Sequence, residues 1–281
     1  MSQAYQPLGS FSELPEIQID GQIHTRAGAD PGSLHQKLRN EAALLAMDQL
    51  GAITLEGPDA AEFLQRICSQ DAQGMAPGSG ARACLLSGKG KLLAAFWLWR
   101  PAHERFLLEV DRPRSEAVLG ILDRYLFSEN CRIRDLSPEL AVIGVVGPGA
   151  PELVDGAPAA GQVVARGGGH LVHSTELGVP SIRFVAPRDE ADSLARELAD
   201  SGLPLGGFED FEALRIDACV PRFGLDADEN TIPLEVNLDE LALRSIVYDA
   251  NGDEFDVLYD VENRAEVTLD QVSDELLTTV I

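Results

Sequence analysis

An α+β fold with mixed and antiparallel sheets and packed helices is predicted by three features of the 281-residue sequence. Strand-like and helix-like segments are mixed, with no repeated βαβ unit and no dinucleotide-binding glycine fingerprint. ARACLLSGKGKLLAAFWLWR reads as two strands around a Ser-Gly-Lys-Gly turn, and ERFLLEV as a third, antiparallel neighbour. From Leu140 the pattern restarts, with LAVIGVVG, QVVARGGGHLVHS and SIRFVAP as further strands.

Taken in order, residues 1–32 lack an amphipathic period and read as an extended, partly ordered lead. SLHQKLRNEAALLAMDQL then places apolar residues at helical spacing from Ser33, and Gly51 suits a helix stop. AITLEG alternates like a strand. Pro58 stands near the start of a helix in PDAAEFLQRIC. RSEAVLGILDRYLF, PELVDG and RDEADSLARELADSG are helical in pattern, and Phe208 to Asp239 is expected to return to the first sheet. SIVYDANGDEFDVLYD alternates about an Asn-Gly step, a strong hairpin signal. These elements divide the chain into the lead, a domain from 33–139 with 205–248, a smaller α+β subdomain at 140–204, and an acidic hairpin and tail at 249–281.

Composition narrows the function classes. With 45% hydrophobic and 24% charged residues the chain is globular in type. No apolar run reaches the ~18 residues of a membrane span, and the N-terminus lacks the basic and apolar regions of a secretory signal. A cytoplasmic protein with no membrane partner is expected. The net charge of −24 opposes a nucleic-acid partner, whose phosphates it would repel. Solubility or salt adaptation accounts for so much acid.

Cys68, Cys84, Cys131 and Cys219 form no CxxC pair, so they read as small buried apolar residues and no metal is expected. His170 and His173 follow Gly167, Gly168 and Gly169, which suggests a turn with exposed imidazoles. GKGK at Gly88 to Lys91 lacks the spacing of a phosphate-binding loop. Asp249, Asn251 and Asp253 lack the glycine and glutamate that a calcium loop needs after them, and read as a solvated turn. The acidic end could still dock a basic protein partner.

ALRIDACVPRFGLDADENTIPLEVNLD, from Ala213 to Asp239, keeps Arg215, Pro221, Gly224, Asp226, Pro233 and Leu234 in a pattern that closely resembles a signature of the folate-binding aminomethyltransferase superfamily. That superfamily holds the glycine-cleavage T-protein and its YgfZ-like relatives. LRNEAALLAMDQLGAITLEGPDAAEFLQRI and CSQDAQGMAPGSGARACLLSGKGKLLAAFWLWR are similar to the family's opening blocks, and ILDRYLFSENCRIRDLS resembles YgfZ-like members more than the T-protein. The resemblance runs from about Leu38 to Asp239.

The resemblance implies a folate-binding-domain-like fold and a tetrahydrofolate, or a derivative, as cofactor and small-molecule partner. It also places Arg215 near the folate, where a guanidinium could hold a carboxylate or carbonyl. The alternative for Arg215 is a structural ion pair with Asp217 or Glu212. Ser69, Gln70 and Asp71 stand where the family has Thr-Asn-Asp, so Asp71 is either a carboxylate beside the ligand or a turn cap. Arg114 offers positive charge at the pocket mouth, or is an exposed helix-start residue.

The departures concern chemistry. Ala94 and Ala95 stand where the T-protein carries an aspartate pair, and alanine can neither give nor take a proton. Asp111 to Arg114 replace an asparagine-bearing strand end. Ile182 and Arg183 stand where a pterin-binding glutamate is expected, and the K-G-C-Y-x-G-Q stretch of YgfZ-like members is absent. The residues after Asp239 are too few for the T-protein's full C-terminal barrel. The family's catalytic Asp and Cys motifs are thus missing, and enzymatic activity stays open.

Two functions remain, with a third behind them. One is a YgfZ-like tetrahydrofolate-binding protein that assists iron–sulfur enzyme maturation or one-carbon metabolism. The other is a catalytically inactive scaffold or subunit for a protein partner. The third is unrelated small-molecule chemistry in the inherited cavity.

Overall fold

The computed structural model describes residues 6–19, 22–26, 31–236, 238, 244–248 and 254–259. Strands β1 (Glu16–Ile19) and β2 (Gln22–Thr25) pair as an antiparallel ribbon. Helix α1 (Pro31–Asn40) follows, and the chain then enters strand β3 (Ala43–Ala46). The helix expected to run from Ser33 to Gly51 therefore ends at Asn40. Every residue of β3 is buried, with Leu45 in one core and Leu44 and Ala46 in another on the opposite face. A strand covered on both faces carries no polar alternation, so its apolar run reads like buried helix.

Strand β4 (Leu50–Glu56), helix α2 (Ala60–Ile67), strands β5 (Ser79–Leu86), β6 (Leu92–Ala102) and β7 (Arg105–Asp111), helix α3 (Ser115–Tyr125) and strand β8 (Arg132–Asp135) come next. Their strands form a five-stranded antiparallel sheet in the order β5-β6-β7-β4-β8. Phe63 and Leu64 of α2 and Val118 and Leu122 of α3 cover one face, against Ile53, Leu55, Phe106 and Leu108.

A second sheet is built from β9 (Leu140–Val146), then, after helix α4 (Ala150–Leu153), from β10 (Val163–Arg166), β11 (Gly169–Ser174) and β12 (Ser181–Pro187). Helix α5 (Arg188–Asp200) leads to the short β13 (Leu205–Gly206), and helix α6 (Phe208–Asp217) follows. The order is β10-β11-β12-β9-β3-β13, with β13 parallel to β3 and the other pairs antiparallel. Mixed and antiparallel sheets with packed helices are what the sequence predicts, and among the described residues no sheet closes into a barrel.

The histidines differ from expectation. Gly167 and Gly168 make the turn, so His170 and His173 already belong to β11. His173 is buried, with Nδ1 2.9 Å from the carbonyl of Pro158, and burial lowers the pKa of His170. The hairpin is present as β14 (Arg244–Tyr248) paired with β15 (Glu254–Tyr259). The Asp249, Asn251 and Asp253 turn and the tail beyond Tyr259 lie outside the described residues.

The two large sheets face one another. Side chains alternate along each strand, so Val142 and Val146 of β9 enter the core between the sheets while Ala141, Ile143 and Val145 meet Ala191, Leu194 and Ala195 of α5. The result is four layers, helix on sheet on sheet on helix. Arg112, buried at the end of β7, holds the sheets together: Nε donates to the Asp48 carbonyl at 2.9 Å, Nη2 to that of Leu50 at 2.7 Å, and Nη1 to that of Ser137. Arg112→Met leaves these buried carbonyls unmatched, and urea unfolding is expected to show a loss of about 3 kcal/mol.

Candidate functional site in the cleft between the sheets

Strand register puts charge where packing would otherwise be apolar. In β7, Phe106, Leu108 and Val110 face the helices, which turns Leu107, Glu109 and Asp111 to the inter-sheet side. In β12, Ile182, Phe184 and Ala186 face α5, which turns Arg183 inward beside Val185. Arg183 is fully buried, with Nε 2.9 Å from Glu109 Oε1 and Nη1 3.2 Å from Glu176 Oε1 and 2.9 Å from Ser174 Oγ. Arg82 pairs with Glu176 from β5. Gly144, opposite Arg183 in the sheet, leaves room: a Cβ there would lie 2.5 Å from Met47 Cε and 3.4 Å from Arg183 Cγ. Beside these charges Trp97 and Trp99 stack with ring centres 4.7 Å apart.

The two carboxyls respond oppositely. Burial pushes Glu109 above the usual carboxylate range, against the pull of Arg183. Burial acts the same way on Glu176, but Arg82 and Arg183 outweigh it and its pKa is lowered.

Around this network lies an inner pocket of about 70 Å³, walled by Arg82, Trp97, Glu109, Glu176, Phe211, Arg215 and Arg222. It adjoins a cleft of about 220 Å³ lined by Ala94, Arg114, Val118, Ile121, Arg124, Tyr125 and Glu229. Ala95, Val110, Asp111 and Phe223 are walls of both.

Arg215, on α6, lines the inner pocket with its donors largely committed. Nε and Nη2 meet Glu212 at 3.0 and 2.9 Å, and Nη1 meets the Val220 carbonyl at 2.7 Å and Asp226 at 2.6 Å. Arg215 thus clamps the loop after α6 onto its own helix. Of the two acids weighed as ion-pair partners, Glu212 is engaged, while Asp217 faces His35 at 3.1 Å and Arg39 at 3.5 Å. Arg222 on the same loop reaches Asp111 at 3.2 Å.

Arg114 lies in the outer cleft with its guanidinium 4.7 Å from the Phe223 ring centre. Gly224 permits this approach: it adopts φ +92, and a Cβ would stand 3.0 Å from the guanidinium carbon. Asp71 is not brought to the site. It is exposed, lines neither pocket, and accepts the Gly74 N–H at 3.1 Å in a local turn.

Ala94 and Ala95 both line the cleft. Cys68 and Cys84 are buried as expected, whereas Cys131 is half-buried and Cys219 exposed. Burial drives the Cys84 thiol up to about 12, far from a thiolate at neutral pH. Among the described residues no group of three His, Cys, Asp or Glu could hold a metal, and no helix is long and apolar enough to cross a membrane. Glu109, Glu176, Arg222 and Arg124 are site residues that sequence reading passes over. A signal existed for Glu109, a charge at core parity in FLLEV.

Residues 26–164 match the GCVT N-terminal domain family. The chain is 29% identical over 73% of its length to an aminomethyltransferase of Methylococcus capsulatus, and 26% identical over 73% to one of Rubrobacter xylanophilus. It spans 59% and 58% of those relatives' lengths. The crystal structure of glycine cleavage system aminomethyltransferase T from Bartonella henselae superposes with a TM-score of 0.76 at 19% identity, covering 87% of this chain and 81% of that one, and so shares the fold. Together these matches support the folate-binding aminomethyltransferase-like superfamily for this chain.

The Glu176 shift has a pH consequence. Because its folded pKa is lowered, its contribution is present above the unfolded value of about 4.3 and is lost as pH falls through the folded value. Glu176→Gln should therefore destabilise the protein at pH 7, and the gap to wild type should narrow as pH drops below about 4.3, read by urea unfolding across pH.

Proposed function

We propose that this is a YgfZ-like, tetrahydrofolate-binding protein of the cytoplasm that supports iron–sulfur enzyme maturation or one-carbon metabolism. The observation that carries the reading is the pairing of an inner pocket, walled by Trp97, the buried Glu109 and the half-buried Glu176, with a cleft that shares Ala95, Val110, Asp111 and Phe223 with it. The pyrimidine edge of a pterin offers adjacent N–H donors, which Glu109 and Glu176 can accept, and its flat ring can stack on Trp97. Arg215 acts in this reading by fixing the loop that borders the pocket, through Glu212 and Asp226. Ala94 and Ala95 supply no acid or base to the cleft, and Asp111 in the shared wall is engaged by Arg222, so holding or presenting the folate fits these residues better than proton transfer.

The alternative is a catalytically inactive scaffold or subunit that holds a protein partner through its acidic C-terminal segment. The same two alanines, together with the committed donors of Arg215, favour it. Calorimetric titration with tetrahydrofolate separates the two: saturable binding in the micromolar range supports the first, and no heat at millimolar ligand removes it. Trp97→Leu is expected to weaken that binding about tenfold by removing the stacking surface.

A further inference from the structure

The N-terminal ribbon holds to the rest of the protein through few contacts. No residue of β1 is buried, and in β2 only His24 and Thr25 are. The Thr25 N–H donates to Asp48 Oδ2 at 2.7 Å, in the turn between β3 and β4. The Thr25 carbonyl would lie 2.2 Å from a Cβ on Gly207, so the strand passes directly over the residue that precedes α6. Arg26 pairs with Glu209 at the same helix end, but in an exposed position, where such a pair contributes little.

His24 is the buried anchor of this ribbon. It is 1% exposed, its ring lies 4.8 Å from that of Phe208, and its Nδ1 is buried with no hydrogen-bond partner among the described residues. The Arg222 guanidinium lies 5.4 Å from the same Phe208 ring, so Phe208 connects His24 to the loop whose Arg222 pairs with Asp111 in the pocket wall. The charges that face the imidazole are Asp48 from the β3–β4 turn, Arg112 from the end of β7 and Arg222 from the loop after α6. Glu209 on α6 is taken up by Arg26. Burial, together with the two arginines, holds His24 below its ordinary pKa of 6.5, against the pull of Asp48 and the Ile19 carbonyl.

We propose that the β1–β2 ribbon is an acid-released strap, in which protonation of His24 detaches it from the start of α6 and loosens the pocket wall that Arg222 supports. While the strap is attached, a proton on His24 adds a third buried cation beside Arg112 and Arg222, and Asp48 is already occupied by the Thr25 N–H. Detachment hydrates the ring and restores its ordinary pKa. Because that pKa is lowered in the attached state, attachment is strongest above about 6.5 and weakens as pH falls from there through the lowered value. The ribbon shares no ladder with either large sheet, so its release is a local opening that leaves the two-sheet core closed. The strap acts on the pocket wall whichever ligand the pocket takes, and so stands apart from the folate reading.

Hydrogen exchange on the full chain, corrected for intrinsic rates and compared between about pH 7.5 and 5.5, on either side of the ordinary histidine value, tests this. Protection of β1 and β2 is expected to fall several-fold on acidification, toward the roughly tenfold limit for one proton taken up one pH unit below 6.5, while that of β9, β11 and β12 stays constant. Residues 219–224 should gain exchange in step with the ribbon. His24→Gln and His24→Phe, neither of which titrates, should remove the pH dependence, whatever their effect on the ribbon at pH 7.5. Protection of the ribbon that is constant across this range overturns the inference, as does an equal loss in both variants, because another group would then be the switch. A ribbon that is released while residues 219–224 keep their protection overturns the proposed action on the pocket wall.

Discussion

The guanidinium of Arg183, shared between Glu109 and Glu176, is the contact on which the pocket between the two sheets depends. Arg183 belongs to the six-stranded sheet and Glu109 to the five-stranded one, so the pair is an inter-sheet contact in a core that is otherwise apolar. Burying such charges costs several kcal/mol of hydration per ion, and the cost is met only because each group has a partner: Arg183 has two carboxylates and a hydroxyl, and Glu176 has a second arginine. An unpaired member would be worse than an apolar replacement. The same requirement keeps polar groups at the floor of the cleft, where a close-packed aliphatic core would leave no recognition surface.

From that floor outward, side-chain chemistry changes in a consistent direction. Glu109, Glu176 and the Trp97 indole line the inner pocket beside ion-paired arginines, Ala95, Val110, Asp111 and Phe223 form the shared wall, and Arg114 and Arg124 lie in the outer cleft. Such a gradient suits an elongated ligand with a donor-rich ring at one end and negative charge at the other. It supplies little for general acid–base catalysis, since Ala94 and Ala95 are inert and the Cys84 thiol is held protonated by burial. Arg215 has a structural role: it binds the loop carrying Arg222 and Phe223, and those two residues build the pocket wall.

Much of the fold was legible because alternation is a direct imprint of a half-buried sheet. The β5–β6–β7 meander and α2, α3 and α5 follow from periodicity alone. Strand β3 was not legible, since burial on both faces erases the period that distinguishes strand from helix. His173 was misread because flanking glycines signal a turn without fixing where it ends. The site was less legible than the fold. Arg215 and Arg114 stand out through a motif, but Glu176 and Arg124 are brought to the cleft by tertiary packing, and single charged residues leave no periodic trace. Asp71 shows the converse, a residue in a matching stretch that the fold uses for a turn.

The account's central claim is that the cleft between the sheets accommodates a reduced folate in one orientation. A crystal structure determined with tetrahydrofolate bound tests it most directly. The ring is predicted to lie against Trp97 with its N–H edge toward Glu109 and Glu176, and the rest of the ligand to pass Ala95 into the outer cleft. Density for the ligand elsewhere, or an inner pocket that stays closed with the ring outside it, would contradict the account.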